Sequence, residues 1–265
     1  ASNNTAIGND SLGANTTGTN NAAVGFESLK LNTTGAQMTA VGHGSLDANT
    51  TGYNNTAIGF SSGGGTTTGN SNTAIGAYTL MANTTGNFNT AVGTAAMQAT
   101  GQSGLGCTAV GYQALNTTNN SNYNTAVGYR SLALNTTGTN NASFGKEALE
   151  NNTTGNQNTA FGTSSLEANT TAGSNVALGY YALRDNTPGS PNVAVGHTSL
   201  SSNTTGAGNS ALGYQALEDN TTGANNVAIG REALESNTTA SNNTAVGAYA
   251  LQINTTGAQN SGFGN

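Results

Sequence analysis

The sequence predicts an all-β protein, a parallel β-solenoid (β-roll) of about fifteen 17-residue rungs. Three observations predict it. Asn, Thr and Gly number 42, 44 and 38 among 265 residues, whereas Leu, Ile, Val and Phe together number 39, too few for an ordinary two-layer core. So polar a chain is either disordered or repetitive, and self-similarity decides for repetition. Units begin at Asn4, Asn21, Met38, Asn55, Asn72 and Asn89, then, after one 18-residue unit, at Cys107, Asn124, Asn141, Asn158, Asn175, Asn192, Asn209, Asn226, Asn243 and Asn260. Residues 1–265 therefore read as a single repeat array. The third observation is the fixed columns: position five is Gly in all sixteen occurrences, position four is always Ile, Val, Leu or Phe, and position nine is Leu in thirteen of fifteen units.

The consensus N-T-A-h-G-x-x-[AS]-L-x-x-N-T-T-G-x-x, with h apolar, assigns each element in turn. N-T-A-h-G is short and β-branched, so it reads as a strand; Gly and Asn are too frequent for a pair of helices. Gly at position five lets the chain turn or approach its neighbour closely. The segment x-x-[AS]-L reads as a second short strand. N-T-T-G then closes the rung, with Gly35, Gly52 or Gly138 at a site expected to need positive φ. Pairs such as Val24 with Leu29, or Val127 with Leu132, would contribute about 3 to 6 kcal/mol if fully buried. Ordering each residue of the backbone costs roughly 1 to 2 kcal/mol, so a lone rung cannot stand. Rungs stacked about 4.8 Å apart would make a rod roughly 70 to 75 Å long.

Side chains alternate along the first strand, positions one, three and five against two and four. Met38 and Cys107 replace Asn at position one, and Val176, Val193 and Val227 replace Thr at position two. Both faces are therefore expected to be partly covered, one by the solenoid and the other by a neighbouring layer or subunit. Neither end carries a divergent cap, which suits end-to-end stacking or a longer array.

The columns Asn72-Thr73-Ala74-Ile75-Gly76 and Asn243-Thr244-Ala245-Val246-Gly247, followed by [AS]-L and N-T-T-G, resemble the head repeats of trimeric autotransporter adhesins and related bacterial surface or phage tail-fibre-like repeat proteins. The resemblance covers essentially the whole chain. It implies a trimeric parallel β-roll exposed outside the cell and used for adhesion or as a spike. The unit here is longer than in the adhesins, and stalk, anchor and chaperone segments are missing from this sequence.

Five cations oppose eleven acids, a net charge of -6, with no run of either sign, so a nucleic-acid partner is not expected. No membrane span and no signal peptide is recognisable. His43 and His197 lie nine rungs apart and read as surface residues without a catalytic partner. Cys107 reads as a buried, inert thiol. Glu147 with Glu150, and Glu232 with Glu235, lack the pattern of calcium-binding β-rolls. Accordingly no catalytic residue, metal site or cofactor is expected.

Asn-Thr-Thr recurs at Asn15, Asn32, Asn49, Asn83, Asn116, Asn135, Asn152, Asn169, Asn203, Asn220, Asn237 and Asn254. Each is a sequon for N-linked sugar, and equally a rung of an Asn hydrogen-bond ladder. Close rung spacing and the altered Asn186-Thr187-Pro188 favour the ladder; Thr66 and Thr100, which replace the Asn, suit a ladder or O-linked sugar. Phe26, Phe60, Tyr112, Tyr129, Tyr180 and Tyr214 follow the fixed Gly as an aromatic column suited to stacking on sugars or on a neighbouring rod, or to packing on one another. Files of Thr also raise ice binding, which the Val and Ala interruptions at position two disfavour. The expectation is a non-enzymatic extracellular rod, the unit of a fibril or surface fibre. It would associate with itself, end to end or laterally, a trimer included; the alternative is a glycan-binding adhesin using the aromatic column.

Overall fold

A computed structural model describes residues 1–98 and 103–264. The chain forms two compact units, Ala1–Thr137 and Gly138–Asn265, both built on the same rung. The first holds β1 (Thr5–Ile7), β2 (Ala22–Val24), β3 (Thr39–Val41), β4 (Thr56–Ile58), β5 (Thr73–Ile75), β6 (Thr90–Val92), β7 (Thr108–Val110) and β8 (Thr125–Val127). The second holds β9 (Ala142–Phe144), β10 (Thr159–Phe161), β11 (Val176–Leu178), β12 (Val193–Val195), β13 (Ser210–Leu212), β14 (Val227–Ile229), β15 (Thr244–Val246) and β16 (Ser261–Phe263). Within each unit consecutive strands pair in parallel, like residue on like residue, as in Thr39↔Thr56 and Ile58↔Ile75. The fold is thus an all-β solenoid whose rung is the 17-residue repeat. The 18-residue unit keeps this register, since Thr90 still pairs with Thr108 and Asn87 bridges Leu105.

Each strand is three residues long, repeat positions two to four, and position three faces inward. Ala23, Ala40, Ala57, Ala160 and Ala177 are fully buried there. A small side chain is required because the rung closes tightly over it. Position five needs Gly twice over. Gly25 has φ +137, outside the reach of an L side chain, and a Cβ on it would lie 2.4 Å from the Gly42 carbonyl oxygen.

The expected second strand is instead a pair of kinks. Positions seven and nine are left-handed, as in Glu27 (φ 56) and Leu29 (φ 51). A strand would send positions eight and nine to opposite faces, yet Ser28 and Leu29 are both fully buried. Two left-handed residues fold adjacent side chains into the same interior. This accounts for Leu, and never Val or Ile, at position nine: a β-branched side chain tolerates positive φ poorly. The turn still bonds to its neighbours, Leu29 N–H donating to Ser45 C=O (3.0 Å) and Glu27 N–H to Asn9 C=O (2.9 Å). The backbone is thereby satisfied between rungs without a second sheet.

Two further expectations are corrected. Gly35, Gly52 and Gly138 do not have positive φ; their column is small because a Cβ on Gly35 would lie 2.3 Å from Gly52 O and 2.4 Å from Asn32 Oδ1. Crowding of this kind can relax, and Ala172 and Ala240 occupy the same position in other rungs. Nor are the paired apolar residues buried together. Leu29 and Leu132 are fully buried, but Val24 and Val127 are only half-buried on the outer face of their strands.

Candidate functional surface

Polar ladders fill the interior beside the Leu column. In the first unit Asn32 Nδ2 donates to Asn15 Oδ1 (3.1 Å) and Asn49 Nδ2 to Asn32 Oδ1 (2.9 Å). In the second unit the chain runs from Asn152 through Asn169, Asn186, Asn203, Asn220 and Asn237 to Asn254, at 2.8 to 3.4 Å. The second Nδ2 hydrogen goes to the carbonyl three residues on, as from Asn169 to Ala172 (3.0 Å). Asn32, Asn49, Asn83, Asn135, Asn152, Asn169, Asn203, Asn220 and Asn237 are fully buried, while Asn15 and Asn254 are half-buried. A sugar on Nδ2 would replace a bonded hydrogen at a site closed to solvent, so the folded rung has no room for it. Thr66 is likewise fully buried, and Thr100 lies outside the described residues.

Asn116 does not belong to the ladder. Its Asn-Thr-Thr sits two residues early in the rung, its amide donates to Ala95 C=O (2.9 Å), and buried Thr118 takes the ladder position with a bond to Ser121. A second ladder runs at position one, where each Asn Oδ1 accepts the next rung's backbone N–H, as Asn158 does from Asn175 (3.0 Å). Met38 and Cys107 occupy that column fully enclosed. Burial pushes the Cys107 thiol above its ordinary pKa, as expected of an inert sulfur.

Phe26, Phe60, Tyr112 and Tyr129 in the first unit and Tyr180 and Tyr214 in the second lie exposed at position six in three separate stacks, two of which take in the histidines that residue-by-residue reading had set apart. Phe26, His43 and Phe60 stack at 5.0 Å intervals; Tyr180, His197 and Tyr214 stack at 5.1 and 5.4 Å; Tyr112 and Tyr129 at 5.6 Å. Ring faces are therefore turned on one another and ring edges on solvent. Arg231 adds its guanidinium over Tyr214 and Tyr249.

Charge is segregated once the repeat register is applied. All sixteen ionisable Lys, Arg, Asp and Glu residues fall at positions six, seven, ten and eleven, within the turn segment. Four cations pair locally: Lys30 with Glu27, Lys146 with Glu147, Arg184 with Asp185 and Arg231 with Glu232. Glu167, one rung on, joins Glu147 and Glu150, their carboxylates within 4.8 Å of one another, a meeting of like columns that linear spacing conceals.

The outer strand face carries no charge at all. Position four is apolar in every rung and never fully buried: Ile58 and Ile75 in the first unit and Phe161, Leu178, Leu212 and Ile229 in the second are 38 to 57 % exposed, while Val92, Val195 and Val246 are half-buried. Among the described residues no helix is long and apolar enough to cross a membrane. No family model matches the chain, and no curated protein matches it either.

Proposed function

We propose that this protein is a non-enzymatic structural element, the building block of an extracellular fibre, and that it assembles by laying its uncharged strand face against other copies of itself. The observation that carries this reading is the position-four column: apolar sixteen times out of sixteen, and exposed or half-buried, never fully buried, in the isolated chain. Contiguous apolar surface of this extent is costly in water and marks a face that is covered. Rung-to-rung repetition presents the same side chains along each unit, which suits a lattice contact rather than a single pocket. The extracellular setting rests on the resemblance of the columns to surface-protein head repeats. Recognition of glycans by the position-six column is the weaker reading, because the faces that would stack on a sugar are occupied by neighbouring rings.

Sedimentation velocity and negative-stain microscopy test the proposal. The wild-type chain is expected to form oligomers or filaments without added ligand. Replacing Leu212 and Ile229 with Lys is expected to yield monomers with unchanged circular dichroism. A monodisperse wild-type monomer at high concentration would overturn the reading.

A further inference from the structure

A second set of aromatic residues lies where the rung closes, at positions sixteen and seventeen of the first unit. Tyr53, Phe88 and Tyr123 are 49, 64 and 57 % exposed. They differ from the position-six column in one respect: among the described residues no other ring stacks on them. They belong to the rungs beginning at Met38, Asn72 and Cys107, every second one, so they recur about 10 Å apart along the stack. Tyr123 lies against Gly106, its counterpart one rung earlier, where a Cβ would come within 3.2 Å of ring atom Cδ1. The missing side chain lets the ring lean over that neighbouring rung.

Between the rings the corner is amide-rich and bears no charged side chain. Asn70 Oδ1 accepts Tyr53 N–H (3.0 Å) and Asn122 Oδ1 accepts Leu105 N–H (2.9 Å). Each amide is thereby fixed in orientation while its NH2 group keeps no acceptor within the described residues. The position-seventeen column continues through Gln37 and Asn20 into an open groove of about 350 Å³ on the outer strand face, beside Thr5 and Thr39.

We propose that this corner binds a neutral, extended polysaccharide lying along the first unit. Free ring faces stack on the C–H faces of pyranose rings, the fixed amides donate to sugar oxygens, and a two-rung interval matches two hexoses of a stretched chain. An acidic polymer gains nothing where no cation stands. A second copy of the chain is proposed to cover position four of the strands, whereas the free rings and amides stand at positions sixteen and seventeen, so the inference does not depend on self-association.

Affinity electrophoresis of the full chain through gels containing hydroxyethyl cellulose or galactomannan tests it, with dextran and alginate as flexible and acidic controls. Retardation is expected in at least one of the first two and in neither control. Tyr53→Ala, Phe88→Ala and Tyr123→Ala should each weaken binding roughly threefold to tenfold, and the triple variant should abolish it. Asn70→Asp, which keeps the acceptor and removes the donor, gives an independent loss, whereas Tyr123→Phe should retain binding. The paired change of Tyr112 and Tyr129 to Ala should leave retardation unaltered. Absence of retardation in all gels, a triple variant that binds as the wild type does, or loss caused by the Tyr112 and Tyr129 pair instead would overturn the proposal. So would a triple variant that changes sedimentation alone, since the corner would then join copies of the chain.

Discussion

Glycine serves this chain in two ways that a one-letter code does not distinguish. At position five, backbone conformation and space both demand it: Gly179 has φ +144, and a Cβ would lie 2.3 Å from Gly196 O. At the end of Asn-Thr-Thr-Gly only space is short, and two rungs already place Ala there. Gly179→Ala is therefore expected to lower unfolding stability by about 3 kcal/mol or more, and Gly35→Ala by about 1 kcal/mol. Urea denaturation measures both, and equal costs would refute the distinction. The same reasoning separates the leucines from the valines. Leu29 combines full burial with a left-handed backbone, whereas Val24, five residues earlier, lies half-open on a strand. Residue type alone suggested one shared core for the two.

At the scale of an element, the ladder behaves as a single cooperative object whose breaks are visible as orphaned atoms. Asn49 Oδ1 is buried without a donor because the next rung supplies Thr66, whose own hydroxyl is also unpartnered. Thr66→Asn would return a donor to Asn49 and another to Gly69 C=O, as its counterparts do. A gain of about 1 to 2 kcal/mol is expected, read as a higher urea midpoint with unchanged slope. No gain would mean that the neighbouring Gly63-Gly64-Gly65 turn sets the backbone there and not the ladder. Much of this was legible. The period located every strand, the fixed Gly marked every turn, and Asn186-Thr187-Pro188 showed that the Asn is kept when the sequon is lost. The turn read as a second strand was harder, although a sign was present: two adjacent columns fixed in kind, small Ala or Ser at eight and Leu at nine, cannot both face inward from a pleated segment. Packing of the aromatic column on itself was among the readings the residues offered; the part of His43 and His197 in it was hidden, because they were weighed as titratable groups rather than as members of a column.

For the molecule as a whole, every paired strand lies one repeat from its partner in sequence, so each unit is built from nearest-neighbour contacts. Removing one complete rung should then restore all columns in register. Deleting residues 192–208 is expected to give a folded chain with a slightly lower melting temperature, while deleting residues 192–199 should disrupt the second unit. Circular dichroism melts compare them, and equal damage would contradict the repeat-by-repeat construction. Charge distribution was the feature least legible along the chain, because acids that look scattered in the linear order converge only when seventeen residues are wound into a rung. The buried amides bear, finally, on chemical ageing. Asparagine deteriorates when its side chain is attacked by the following backbone nitrogen, a reaction that needs local freedom and water. In the ladder the amide is held by two donated hydrogen bonds, and the Thr33 nitrogen that follows Asn32 is bonded to Thr50 C=O at 2.9 Å. The asparagines of the ladders are thereby held where the reaction is disfavoured, so chemical ageing is expected first at exposed ones such as Asn54 and Asn140.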